Sequence, residues 1–181
     1  MSKRALVVVD LQNEYLPSGK VPLEGIHDAI ANATEVLAHF RKSGETLVHI
    51  RHELTADAPM FVPGSDGVNI VPEMKPEGNE PVVTKNYPNA FRDTDLKKIL
   101  EENSVKEIVF IGAMSHMCIA ASVRAAVDFG YSAVTVHDAC ATMDLEFNNT
   151  KVPVAQVHAA NMAALEFAYG EVVSTDKLLA S

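Results

Sequence analysis

Two cysteines in 181 residues, Cys118 and Cys140, are too few for the disulfide framework of a small secreted protein. A reducing cytoplasm is the setting they suit. Clustered Lys and Arg are missing too, and the formal net charge is -9. That balance lacks the electrostatic footprint of nucleic-acid or anionic-membrane binding. No apolar run approaches transmembrane length, and the opening run of "MSKRALVVVDLQ" stops at Asp10, too early for a signal-peptide core. The turn after it, "VVVDLQNEY", has no Gly-rich loop to cradle a dinucleotide or flavin phosphate. Repeats, low-complexity tracts and linkers are absent, so a single domain over residues 1–181 is expected, with enough chain for a sizeable core.

What the chain does have is alternation. "ALVVVD", "TLVHIRHE", "PVVTKN", "EIVFIGAM" and "SAVTVHDA" read as strands, with a weak sixth at "EVVST". Between them, "IHDAIANATEVLAHFRKSG" repeats apolar residues at helical spacing and ends at Gly44. "DTDLKKILEENS", "SHMCIAASVRAAVDFG" and "VPVAQVHAANMAALEFAYG" read as further helices. Strands apolar throughout and separated by helices predict a three-layer α/β/α sandwich around a mostly parallel sheet of about six strands. Residues 54–80 form a long Pro- and Gly-containing segment, of the kind that often serves as a lid.

In open parallel sheets, ligands bind beyond the carboxyl ends of the strands. Asp10, Lys85 and Cys118 all fall at such ends. Each has an ordinary alternative: a turn cap, a solvated lysine, a small core residue. Together they supply an acid, an ammonium and a thiol at one edge. With Ser115 as N-cap, Cys118 takes the third helical position, where free N–H groups and the positive helix end favour thiolate. Lys85 would push the same way, Asp10 could move the proton, and backbone N–H groups of the turn could receive an oxyanion. Cys140, in "HDACAT", has no basic neighbour in sequence and reads as structural.

Three stretches resemble the isochorismatase-like cysteine hydrolases: "ALVVVDLQNEYL", "FVPGSDGVNIVPEMKPEGNEPVVTKNYPNAF" and "IVFIGAMSHMCIAASVRAAVDFGYSAVTVHDA". The resemblance implies a Rossmann-type topology and an Asp10–Lys85–Cys118 triad. It also implies a cis peptide at Ala113–Met114 that aims N–H groups at an oxyanion, and substrate-pocket roles for Gln12 and Phe91, with His116 and Met117 as weaker candidates. No cofactor is implied. The partners it implies are a small-molecule substrate and further copies of the chain, as a dimer or tetramer. Nicotinamidases of this superfamily carry an aspartate and two histidines for a metal after the second strand. Here that region reads "HIRHELTADAPMF", and on a strand His49 and His52 would face opposite sides, so no metal site is expected. Enzymes that hydrolyse isochorismate itself, a vinyl ether, use no cysteine nucleophile. Cys118 therefore points to C–N bond hydrolysis. The alternatives are vinyl-ether hydrolysis in the same fold and a non-catalytic module that senses thiol oxidation or binds a ligand.

Overall fold

A computed structural model describes residues 3–180. Its centre is a six-stranded sheet of β1 (Arg4–Val9), β2 (Thr46–His52), β3 (Val82–Lys85), β4 (Glu107–Ala113), β5 (Ser132–Ala141) and a final short strand, Glu171–Val173. The spatial order is β3-β2-β1-β4-β5 followed by that last strand, and every pairing is parallel. The expected "mostly parallel" sheet is parallel throughout. The chain winds outward from β1 to β3, then returns to β4 on the other side of β1. The switch point of this doubly wound sheet therefore lies between β1 and β4, where such folds open a crevice.

Five helices cover the faces: α1 (Ile26–Ser43), α2 (Leu96–Glu102), α3 (Ala120–Asp128), α4 (Val154–Ala168) and α5 (Thr175–Leu179). On one face, α1 and α5 pack on Leu6, Val8, Val109 and Ile111 through Ile30, Val36, Leu37, Phe40 and Leu178. On the other, α2, α3 and α4 pack on Val7, Val9, Ile108 and Phe110 through Leu96, Leu100, Val123, Met162 and Leu165. Both faces of the central strands are dry, so their sequences are apolar without alternation. Gly44 closes α1 at φ 71°, a left-handed cap that glycine adopts freely.

Three features depart from the sequence reading. An antiparallel hairpin, β6 (Leu145–Phe147) and β7 (Thr150–Val152), precedes α4; it turns through Asn148 and Asn149, both at positive φ. A short α5 follows the last strand, with the Ser174 side chain accepting from the Lys177 N–H. Residues 54–80 are not bare loop. They contain two 3₁₀ turns, Asp66–Val68 and Pro72–Met74, and bury Phe61, Val71 and Met74 against the α1 face. Among the described residues, no helix is long and apolar enough to cross a membrane.

Candidate active site

Asp10 is the first residue after β1, at φ 53°, a left-handed conformation that aspartate tolerates better than most side chains. Its N–H is held by the Ile50 carbonyl of β2 at 3.1 Å. Lys85 ends β3, two strands away, and strand spacing puts β3 about 10 Å from β1. Its long stem crosses over β2 to bring Nζ to 2.7 Å from Asp10 Oδ2. The same Nζ donates to Cys118 Sγ at 3.3 Å and meets His52 Nδ1 at 3.0 Å. Asp10 and Lys85 are inaccessible to solvent, and Cys118 is 5% exposed. The structure thus brings all three strand-end side chains into one buried cluster.

Cys118 reaches this cluster from a turn that differs from expectation. Ser115–Ile119 is a single π-helical turn leading into α3, and Met114, not Ser115, occupies its N-cap. The Met114 carbonyl accepts from both Met117 and Ile119 N–H groups, at 3.0 and 3.2 Å. Ser115 is buried instead, its hydroxyl between His158 Nδ1 at 2.9 Å and the Ala141 carbonyl at 3.3 Å. The peptide bond joining Ala113 and Met114 is cis. Just before it, Gly112 has φ 127° and lies so close to β1 that a Cβ would sit 1.9 Å from the Val9 carbonyl oxygen. Only glycine lets β4 approach β1 at this level.

The electrostatics also correct the expected thiolate. Burial raises the Cys118 thiol pKa far above its ordinary value; the Asp10 carboxylate raises it further, and Lys85 opposes both. The resting group is therefore a thiol whose proton faces Asp10. Burial likewise pushes the Asp10 carboxyl up against the pull of Lys85, which makes it a better base than a surface aspartate. Burial disfavours the Lys85 ammonium, but Asp10 and Cys118 outweigh it and hold that pKa above its ordinary value. Apart from Lys85 and the thiol, the Asp10 carboxylate has no partner among the described residues.

Gln12 and Phe91 are held by contacts of their own. Gln12 is fully buried, and its amide clamps backbone: Nε2 donates to the His52 and Val68 carbonyls, both at 2.9 Å, while Oε1 accepts from the His52 N–H at 2.8 Å. Both of its N–H donors are engaged, and the amide ties residues 54–80 to β2. Phe91 packs on Phe129, the C-cap of α3, and on Tyr131. His116 lies within the π turn that carries Cys118, half-buried, with Nδ1 2.6 Å from Thr142 Oγ1; Met117 is 40% exposed. His49 and His52 do face opposite sides of β2, His49 toward Glu80 and His52 toward Lys85.

Sequence reasoning missed two residues. His52 was weighed only as a metal ligand, although the period of two along β2 puts it on the same face as Ile50 and its register partner is Lys85. Tyr15 is returned to the cluster by the 3₁₀ turn Asn13–Tyr15. Burial above all, and then the Asp10 charge, raise its phenol well above the ordinary range. Phe61 stands edge-on between these two rings, 5.3 Å from Tyr15 and 5.2 Å from His52.

The isochorismatase domain model matches residues 4–176. The chain is 44% identical over 176 residues to the uncharacterized isochorismatase family protein YddQ of Bacillus subtilis, covering 97% of this chain and 98% of the relative. It is 33% identical over 170 residues to the secreted isochorismatase effector Isc1 of Verticillium dahliae, covering 94% and 87%. A maleamate amidohydrolase of Pseudomonas putida is 27% identical over 191 residues, with 95% and 83% covered. A crystal structure of a candidate isochorismatase hydrolase from Oleispira antarctica superposes with a TM-score of 0.97 at 50% identity, covering 99% of this chain and 97% of that one. Likeness of that extent in both sequence and fold makes this protein a hydrolase of the isochorismatase family.

Proposed function

We propose that the protein hydrolyses a C–N bond of a small amide, ureido or carbamoyl compound through a thioester on Cys118. The observation that carries this reading is the single buried ammonium of Lys85 touching both the Asp10 carboxylate and the Cys118 sulfur. The thiol proton passes to Asp10 as sulfur attacks the acyl carbon. The oxyanion is received by backbone N–H groups of Met114 and Cys118. When the tetrahedral adduct collapses, the C–N bond breaks, and the departing nitrogen takes the proton from Asp10. Water then attacks the thioester and gives a proton to Asp10; the C–S bond breaks, and that proton returns to sulfur. Lys85 keeps its charge beside the changing anions throughout. The maleamate amidohydrolase relative supports this chemistry.

A second reading, vinyl-ether hydrolysis with Asp10 as general acid and Cys118 as a bystander, is favoured by the likeness to the isochorismatase effector. Ammonia release from a panel of amides, ureido acids and carbamoyl compounds, run beside isochorismate, separates the two. Turnover of an amide-type compound is expected. Consumption of isochorismate with no ammonia from any panel member would overturn the C–N reading.

The reading includes assembly into a dimer or tetramer. Supporting it, α4 and the β6–β7 hairpin expose apolar surface, with Phe167 91% and Phe147 83% exposed.

A further inference from the structure

His52 belongs to none of the roles above, yet it makes the third contact of the Lys85 ammonium. An ammonium has three N–H donors and no acceptor. Lys85 Nζ donates to Cys118 Sγ at 3.3 Å, meets His52 Nδ1 at 3.0 Å and lies 2.7 Å from Asp10 Oδ2 as an ion pair. The ammonium is thus held between three neighbours, two of them through hydrogen bonds and Asp10 through charge. Because the ammonium only donates, Nδ1 must accept, which leaves the imidazole neutral with its proton on Nε2. Burial and the Lys85 charge agree, lowering the His52 pKa to about 4.

The imidazole is itself held from several sides. Gln12 grips the His52 backbone at both N–H and carbonyl, and the Phe61 ring stands edge-on to it. Lys85 and His52 are register partners on neighbouring strands, so the lysine stem must pass over the imidazole on its way to β1.

We propose that His52 is a positioning residue for Lys85: its Nδ1 lone pair anchors one ammonium proton so that the remaining two point at the Asp10 carboxylate and the Cys118 sulfur. This rests on the triad reading. Without the anchor, the ammonium gains a free donor and a wider set of orientations, and the sulfur loses part of the positive charge that opposes its desolvation.

The test is the rate of Cys118 alkylation by iodoacetamide as a function of pH, followed by peptide mass, which needs no knowledge of the substrate. The titratable groups around the cluster are Asp10, Tyr15 and Glu14 after β1, together with His52, Lys85 and Cys118. His52→Asn places an amide oxygen close to the position of Nδ1, whereas His52→Leu removes the acceptor. His52→Gln carries its acceptor further out and replaces the leucine variant should that one not fold. We expect His52→Leu or His52→Gln to move the alkylation profile up by about one pH unit, slowing the reaction about tenfold at fixed pH. His52→Asn should stay within about twofold of the parent. A leucine or glutamine profile that overlies the parent, or an asparagine variant impaired as much as either, would overturn the inference. Parent Cys118 labelling no faster than Cys140 would contradict the triad reading, and the inference would fall with it.

Discussion

Lys85 Nζ lies 2.7 Å from Asp10 Oδ2, and neither side chain is reached by solvent. A buried pair of this kind is costly to assemble and more costly to break, because the surviving partner is left charged and dry. Lys85→Met should lower the free energy of urea unfolding at neutral pH by about 3–5 kcal/mol. The double variant Asp10→Asn, Lys85→Met should recover most of that loss, since it leaves no lone charge. A Lys85→Met protein as stable as the parent would mean that Asp10 is not paired as described.

The pH dependence follows from the direction of the Asp10 shift. In the proposed reaction Asp10 must be ionised to take the thiol proton, and burial raises its pKa. Below that raised pKa the carboxyl is protonated and cannot act as base; above it the base is available. The acid limb of kcat/KM should therefore lie clearly above the ordinary aspartate value of about 3.9. A profile of kcat/KM against pH on any substrate that the panel yields checks this. An acid limb at or below the ordinary value would contradict it.

Much of this arrangement was readable in sequence because it depends on strand ends. Continuous apolar runs such as "ALVVVD" announce strands buried on both faces, and the residue after such a run stands at the carboxyl edge by necessity. Asp10, Lys85 and Cys118 were found that way. What could not be read depends on partners distant in sequence. The amide of Gln12 is engaged by backbone from two separate segments, and Phe91 by rings beyond α3. The π turn arises because Met114, after Gly112 has brought β4 against β1, presents its carbonyl to two N–H groups. Helical periodicity over "SHMCIAASVRAAV" cannot distinguish that turn from ordinary α-helix. Only the Asn–Asn pair of the β6–β7 hairpin was a local signal that could have been used.

Gly112 offers a backbone test. Alanine there would need φ near 127° and would drive its Cβ into the Val9 carbonyl, a backbone atom that cannot swing aside. Gly112→Ala should cost at least about 3 kcal/mol in unfolding free energy. It should also slow turnover more than the stability loss alone explains, because the turn that carries Cys118 starts three residues later. Thermal unfolding and kcat measured well below the midpoint check both parts.

Glu80 anchors the end of the long segment. It accepts from Arg41 at 2.8 and 2.9 Å, from the Glu77 N–H at 2.9 Å, and meets His49 Nε2 at 2.9 Å. Arg41 above all lowers its pKa to about 2. A carboxylate depressed in the folded state stabilises above its ordinary pKa, and the contribution fades as pH falls through the folded value. Glu80→Gln should thus cost about 1–2 kcal/mol at neutral pH. The gap between variant and parent should close as pH falls from the ordinary glutamate range toward 2. Urea titrations across that range will show whether it does.

The most direct test of the account is the kcat of Cys118→Ala against the parent, on the best amide-type substrate, with the circular dichroism of the two proteins matched. The account predicts a loss on the order of 10⁴-fold in a protein that still folds. Turnover by the alanine protein within tenfold of the parent would contradict it.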